Sequence, residues 1–218
     1  MGFGDFVLIN RILILSPHTD DGEGSAGGTI ARFIEEGKQI FYVAFSSCEK
    51  SVPEGFPKDI LKKECLMATQ ELGLPKENVR ILDFEVRLFP EMRQEILDSM
   101  ILLKKEIKPQ LVICPSSYDT HQDHHVIYNE CVRAFKLSSS IWGMEHPWNN
   151  ISFRTSILVE LKENHIRKKI SSLRNYDSQS FREYFKEEHI LACALLRGME
   201  IGKKYVERFE SIRIKFNI

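Results

Sequence analysis

Short apolar runs alternate with stretches of helical period through the first part of the chain. Arg11-Ile12-Leu13-Ile14-Leu15 reads as a strand. It is followed by a helical pattern with Ala26, Ile30, Phe33 and Ile34 on one face, stopped by Gly37. Residues 40–45 form a second strand, rich in aromatic and branched side chains. Residues 46–57 read as a loop over the sheet end. The next helix has Leu61, Cys65, Ala68 and Leu72 in register and stops at Gly73. A third strand is expected over 79–84, ending near Asp83. The helix after it carries Met92, Ile96, Met100, Leu103 and Ile107 on one face, and Pro109 breaks the chain. Leu111-Val112-Ile113-Cys114-Pro115 is a fourth strand, and Ile127, Cys131, Ala134 and Phe135 mark the helix beyond it. Four strand–helix units in succession predict an α/β fold with a parallel, doubly wound sheet.

The rest of the chain is less regular. Residues 142–150 read as a loop, 156–161 as a strand, and Ile166, Ile170 and Leu173 as a helix face. Tyr176-Asp177-Ser178-Gln179 reads as a turn and 181–197 as a long helix. Gly198 and Gly202 interrupt an expected further helix reaching about Glu207, and residues 212–216 alternate like a half-exposed final strand. No repeat or linker divides the 218 residues, so one domain over 1–218 is expected.

Composition narrows the classes. A formal net charge of -1 with 28% charged residues provides no electrostatic footprint for nucleic acid. There is no apolar run of membrane-spanning length and no charged-then-apolar leader, so a cytoplasmic protein without a membrane span is expected. Five widely spaced cysteines, with no C-x-x-C pair, read as buried free thiols. The sequence leaves open whether the chain assembles as a homo-oligomer.

The chemistry gathers after the first and fourth strands. His18, Asp20, Asp21 and Glu23 follow the first, with Gly22, Gly24, Gly27 and Gly28 beside them; Asp119, His121, Asp123, His124 and His125 follow the fourth. In a parallel sheet all such strand ends lie on one edge, where ligands bind. The two loops can therefore meet across about 100 residues of chain. His18 and Asp21 are three apart, as are His121 and His124, and residues so spaced share a face at a helix start. Three nitrogen and carboxylate donors suit a catalytic zinc with an open fourth position. Such an ion lowers the pKa of water to about 7. The acids beyond those needed as ligands, Asp20, Glu23, Asp119 and Asp123, are candidates for a base and for groups that orient the ligands. Taken alone, the first loop also suits an Asx-type turn capping the next helix, and His125 replaces His124 as ligand if the helix phase differs. Gly24, Gly27 and Gly28 do not form G-x-G-x-x-G, and close helix–sheet packing accounts for them. Arg87 is a candidate for binding substrate; Trp142, Trp148 and Tyr118 are candidates for stacking on a substrate ring or for ordinary packing. His146, His165 and His189 stand isolated in sequence.

The segments Pro17-His18-Thr19-Asp20-Asp21-Gly22-Glu23, Gly27-Gly28-Thr29-Ile30 and Asp119-Thr120-His121-Gln122-Asp123-His124 resemble the paired motifs of the PIG-L / LmbE-like family of zinc-dependent de-N-acetylases. Further resemblance covers Glu64, Ala68, Leu72-Gly73, Tyr176 to Gln179 and the pattern from Arg197 to Phe209. The resemblance implies a Rossmann-like three-layer sandwich with a mostly parallel sheet and a strand-end active site. It implies that His18, Asp21 and His124 hold Zn2+, with Fe2+ or Co2+ also suited to such donors. Asp20 would be the general base and His121 would stabilise the oxyanion. Asp123 would orient His121 and keep it protonated. The substrate would be a small molecule of the N-acetylglucosamine type, deacetylated to a free amine. Thr19 and Gln122 stand where many members carry proline. Two other functions fit the residues: a metal-dependent phosphoesterase and a non-catalytic carbohydrate-binding protein of the same fold.

Overall fold

The structure is a computed structural model that describes residues 9–215. Seven strands form one sheet in the order β3-β2-β1-β4-β5-β7-β6. They are β1 (Arg11–Ser16), β2 (Gln39–Ala44), β3 (Val79–Ile81), β4 (Leu111–Pro115), β5 (Ser140–Met144), β6 (Ile157–Leu161) and β7 (Tyr205–Arg213). The first five run parallel; β7 pairs antiparallel with both β5 and β6. Six helices cover the sheet: α1 (Asp21–Glu35), α2 (Ile60–Leu72), α3 (Arg93–Ile107), α4 (Gln122–Phe135), α5 (Glu163–Leu173) and α6 (Glu187–Met199).

The three layers follow from the alternation of side chains along buried strands. On β1, Ile12 and Ile14 enter a core shared with α1, α2 and α5, whereas Leu13 and Leu15 enter a second core under α3 and α4. Of the four glycines in α1, Gly22 and Gly28 let it lie close against the sheet, while Gly27 faces Lys169 of α5. A Cβ on Gly28 would meet Leu161 Cδ1 at 2.5 Å and Glu207 Oε1 at 3.1 Å. The Gly28 and Thr29 amides donate to the Glu207 carboxylate at 3.0 and 2.7 Å, so they are occupied within the protein.

The C-terminal part departs from the expectations. Residues 142–150, read as a loop, begin inside strand β5. Its run Ser140-Ile141-Trp142-Gly143-Met144 is short and broken by a glycine, which hides a strand flanked on both sides. The region read as helix up to Glu207 is instead the start of β7, and the expected final strand at 212–216 overlaps only its end; Phe216 lies outside the described residues. The reason is tertiary. Tyr205, Val206, Glu207 and Phe209 pair across the sheet with β5 or β6, which propensity within one segment does not register. The long helix expected over 181–197 begins only at Glu187. No helix among the described residues is long and apolar enough to cross a membrane.

The chain builds β1, β2 and β3 outward in one direction, then returns to add β4 and β5 on the other side of β1. The reversal lies between β1 and β4. This is the switch point at which open α/β sheets leave a crevice beyond the carboxyl ends of their strands. Ile12 and Ile14 of β1 pair with Leu111 and Ile113 of β4, so the loops leaving Ser16 and Pro115 start side by side.

Candidate metal centre

His18 leaves β1 two residues past its end, and Asp21 opens α1. The Asp21 carboxylate turns back to accept from the His18 amide at 2.9 Å through Oδ2. Asp20 is the residue preceding the helix, yet its side chain makes no capping bond. The Asx-type cap is therefore not what holds this carboxylate, which lines a cavity of about 620 Å³ with His18, Asp21, His121 and His124. Across the crevice, His121 precedes α4 and its Nδ1 accepts from the Asp123 amide at 3.1 Å. The phase of α4 buries His124 and exposes His125, so His125 is not the alternative donor.

Three donor atoms converge. His18 Nδ1 lies 3.0 Å from Asp21 Oδ2, His124 Nε2 lies 3.1 Å from the same oxygen, and the two ring nitrogens are 3.4 Å apart. A tetrahedral ion with bonds of 2.0–2.1 Å needs donors about 3.3 Å apart, so this triangle fits one. The remaining ring nitrogens face carboxylates. His18 Nε2 is 2.9 Å from Asp123 Oδ2, and His124 Nδ1 is 2.7 Å from Asp119 Oδ2. Each pair is the carboxylate–histidine arrangement that fixes a ligand's tautomer and ring direction. Two overlapping sets of donors also lie within 4.8 Å of one another: His18, His121 and His124, and Asp21, His124 and His146.

The charges match this picture. Burial opposes a charge on His18, but Asp21 and Asp123 outweigh it and raise its pKa to about 10. Burial likewise opposes a charge on His124, and Asp21 and Asp119 raise it to about 9. Against the cost of burial, His124 and His18 hold Asp21 well below the usual carboxylate range. Burial and the neighbouring Asp21 push Asp20 up to about 6, although Arg182 and His18 pull the other way.

The role expected for Asp123 changes. Its carboxylate does not reach His121; it accepts from His18 Nε2 and from the Arg87 amide at 2.6 Å. Residues two apart at a helix start diverge, so only the Asp123 backbone N–H meets the His121 ring. Nor is His121 kept charged. Burial, then the charges of His124 and His18, lower it to about 4. Its Nδ1 is an acceptor, so the neutral ring carries its proton on Nε2.

Arg87 lines the cavity with φ 73, in the left-handed region. Its amide is held by Asp123 and its carbonyl accepts from the Gln122 side chain, so the surroundings impose this conformation. Its guanidinium contacts the Lys50 carbonyl at 3.2 Å. Trp148 lines the cavity too, stacked on Tyr184 with ring centroids 4.3 Å apart. Trp142 and Tyr118 pack against phenylalanines instead, Phe33 and Phe209 for the first and Phe153 for the second. Cys48 also lines the cavity; burial pushes its thiol up to about 12 and leaves it a poor nucleophile.

Beneath the first loop, Glu23 is buried and accepts from the Tyr42 and Tyr176 hydroxyls. The single Tyr176 hydroxyl proton is shared between Glu23 and the Thr19 carbonyl, and Glu64 accepts from Ser178 Oγ at 2.6 Å. These residues brace the loop. Sequence reasoning missed His146 beside the donors, and Arg182 and Tyr184 on the cavity wall. His146 follows β5, so recognising that strand would have placed it on the active edge. Arg182 sits in a loop and carried no such signal.

Several known proteins are similar to this chain, and one family profile matches it. Diacetylchitobiose deacetylase of Thermococcus kodakarensis is 22% identical over 225 residues, covering 91% of this chain and 82% of that protein. The crystal structure of the conserved protein TT1542 from Thermus thermophilus superposes with a TM-score of 0.77 at 24% identity, covering 96% of this chain and 97% of that one. The N,N'-diacetylchitobiose deacetylase from Pyrococcus horikoshii, solved with an inhibitor, also has a TM-score of 0.77, at 21% identity and with 92% and 83% covered. The sequence profile described as PIG-L, GlcNAc-PI de-N-acetylase, matches residues 13–135, a span that contains every donor of the triangle and more than half of the chain. The chain belongs to the PIG-L family.

Proposed function

We propose that this protein is a metal-dependent hydrolase that removes the acetyl group from a small N-acetylglucosamine-type sugar or sugar conjugate. The observation that carries the reading is the donor triangle with Asp20 and His121 beside it on the wall of one cavity. His18, Asp21 and His124 would hold the ion, and Zn2+ suits their donor set best. Bound there, the ion acts as a Lewis acid and lowers the pKa of water to about 7. Asp20 takes the proton of the attacking water as its oxygen bonds to the amide carbon. The His121 Nε2–H donates to the oxyanion that develops on the carbonyl oxygen. Asp20 then returns the proton to the nitrogen as the C–N bond breaks, leaving acetate and a free amine. A neutral His121 performs this as a hydrogen-bond donor and needs no charge. Arg87 and Trp148 line the same cavity, and we assign them to the sugar.

The relatives named deacetylases support the reaction class; the donor geometry supports the metal. The test is a panel of N-acetylated sugars scored for primary amine and acetate, with zinc and after chelation. Equimolar acetate and amine that vanish on chelation and return with Zn2+ are expected. Turnover that survives complete removal of metal would sink the reading.

A further inference from the structure

We infer that His146 is a positioning residue of the metal centre, holding Asp21 and Asp119 in the orientation that presents Asp21 and His124 to the ion. This rests on the metal-dependent reading proposed above. His146 lies two residues past the end of β5 and is fully buried. Its backbone is pinned. The amide donates to Asn150 Oδ1 at 2.6 Å, and its carbonyl accepts from the Asn149 and Asn150 amides. The ring is wedged edge-on between His124, with centroids 4.7 Å apart, and Trp148, at 5.4 Å.

The ring's two nitrogens distinguish it from a histidine buried for packing alone. Nδ1 lies 2.9 Å from Asp119 Oδ2, and Nε2 lies 3.8 Å from Asp21 Oδ1. Among the described residues neither nitrogen has a partner in hydrogen-bond geometry. Buried ring nitrogens are ordinarily satisfied. Here each faces a carboxylate of the centre, and the Nε2 contact is only about 0.8 Å longer than a 3.0 Å hydrogen bond. Whichever nitrogen carries the proton, an acceptor stands opposite it. Asp119 Oδ2 is the same oxygen that accepts from His124 Nδ1, and Asp21 supplies the triangle through its other oxygen, Oδ2. One ring therefore stands 2.9 Å from the carboxylate that aims His124 and 3.8 Å from the other oxygen of Asp21.

The experiment titrates Zn2+ alone into the metal-free protein by calorimetry, for wild type, His146→Phe and His146→Gln, with thermal unfolding of each metal-free form. Phenylalanine keeps the ring's volume without its nitrogens; glutamine restores a polar side chain. His146→Phe is expected to weaken zinc binding about 10–100-fold, the usual effect of losing such an outer partner, and His146→Gln to recover part of that loss. Zinc affinity unchanged in His146→Phe overturns the inference. So does an equal loss in both variants accompanied by an equal fall in metal-free melting temperature, the signature of packing. A wild-type protein that binds no zinc sinks the proposed function as well; wild-type binding with unaffected variants sinks this inference alone.

Discussion

The two sides of the cavity treat their polar groups differently. On the inner side, His18, Asp21, His124, Asp119 and Asp123 are linked by contacts of 2.7–3.4 Å. On the outer side, Asp20 makes no side-chain capping bond, the His121 Nε2 stays free of the backbone contact that engages Nδ1, and the Arg87 guanidinium meets the neutral oxygens of Lys50 and Ser51. Buried polar groups demand partners, so the inner network is rigid and shaped for one occupant. The outer groups keep donors and acceptors that a substrate can use. On the proposed function, the inner side would govern metal affinity and the outer side turnover.

Asp20→Asn strikes the outer side hardest. Turnover should fall about 10²–10⁴-fold, as expected on losing a general base, while zinc affinity stays close to wild type. If zinc binding falls in step, Asp20 belongs to the inner network and the division fails.

Next in size is the coupling of metal to protons. In the metal-free protein His18 and His124 titrate at about 10 and about 9, so at pH 7 both carry protons that an ion must displace. Two protons released lower the apparent affinity about 100-fold for each pH unit of acidification below pH 9, with the dependence flattening above pH 10. Calorimetry in buffers of different ionisation enthalpy counts the protons; a value near zero at pH 7 would show that the carboxylates do not hold these rings charged.

Asp119→Asn and Asp123→Asn should each weaken zinc binding about 10–100-fold, because each leaves a ligating ring without its carboxylate. Equilibrium competition with a chelator measures it. If Asp123→Asn slows turnover and spares affinity, its carboxylate serves His121 after all. Arg87→Ala should have the smallest effect, a rise in KM of about 10-fold with kcat and zinc affinity preserved, since the backbone amide that meets Asp123 remains. A fall in kcat would move Arg87 closer to the reacting bond.

Much of the fold was legible because its signals are local. β1, β2 and β4 are apolar runs of strand length, and α1 to α4 show helical period, the first three with a glycine or proline just past their ends. The two loops rich in His and Asp follow strands whose parallel order places them on one edge. β5 and β7 were not legible. β5 is only five residues long and broken by Gly143, β7 mixes its apolar residues with charged ones, and each is a strand because neighbours on both sides complete its hydrogen bonds. Missing β5 hid His146, and the divergence of residues 121 and 123 hid the true partner of Asp123.

By itself, then, the sequence determined the order of elements as far as α4 and which side chains stand at two strand ends, since hydrophobic period and residue spacing act within a dozen residues. The tertiary structure alone decided how those side chains pair: which nitrogen of His18 faces Asp21 and which faces Asp123, which way His121 aims its proton, and that a histidine beyond β5 closes the network. Pairings of that kind depend on contacts 3 Å long between segments distant in the chain, and only the packed sheet brings those segments into register.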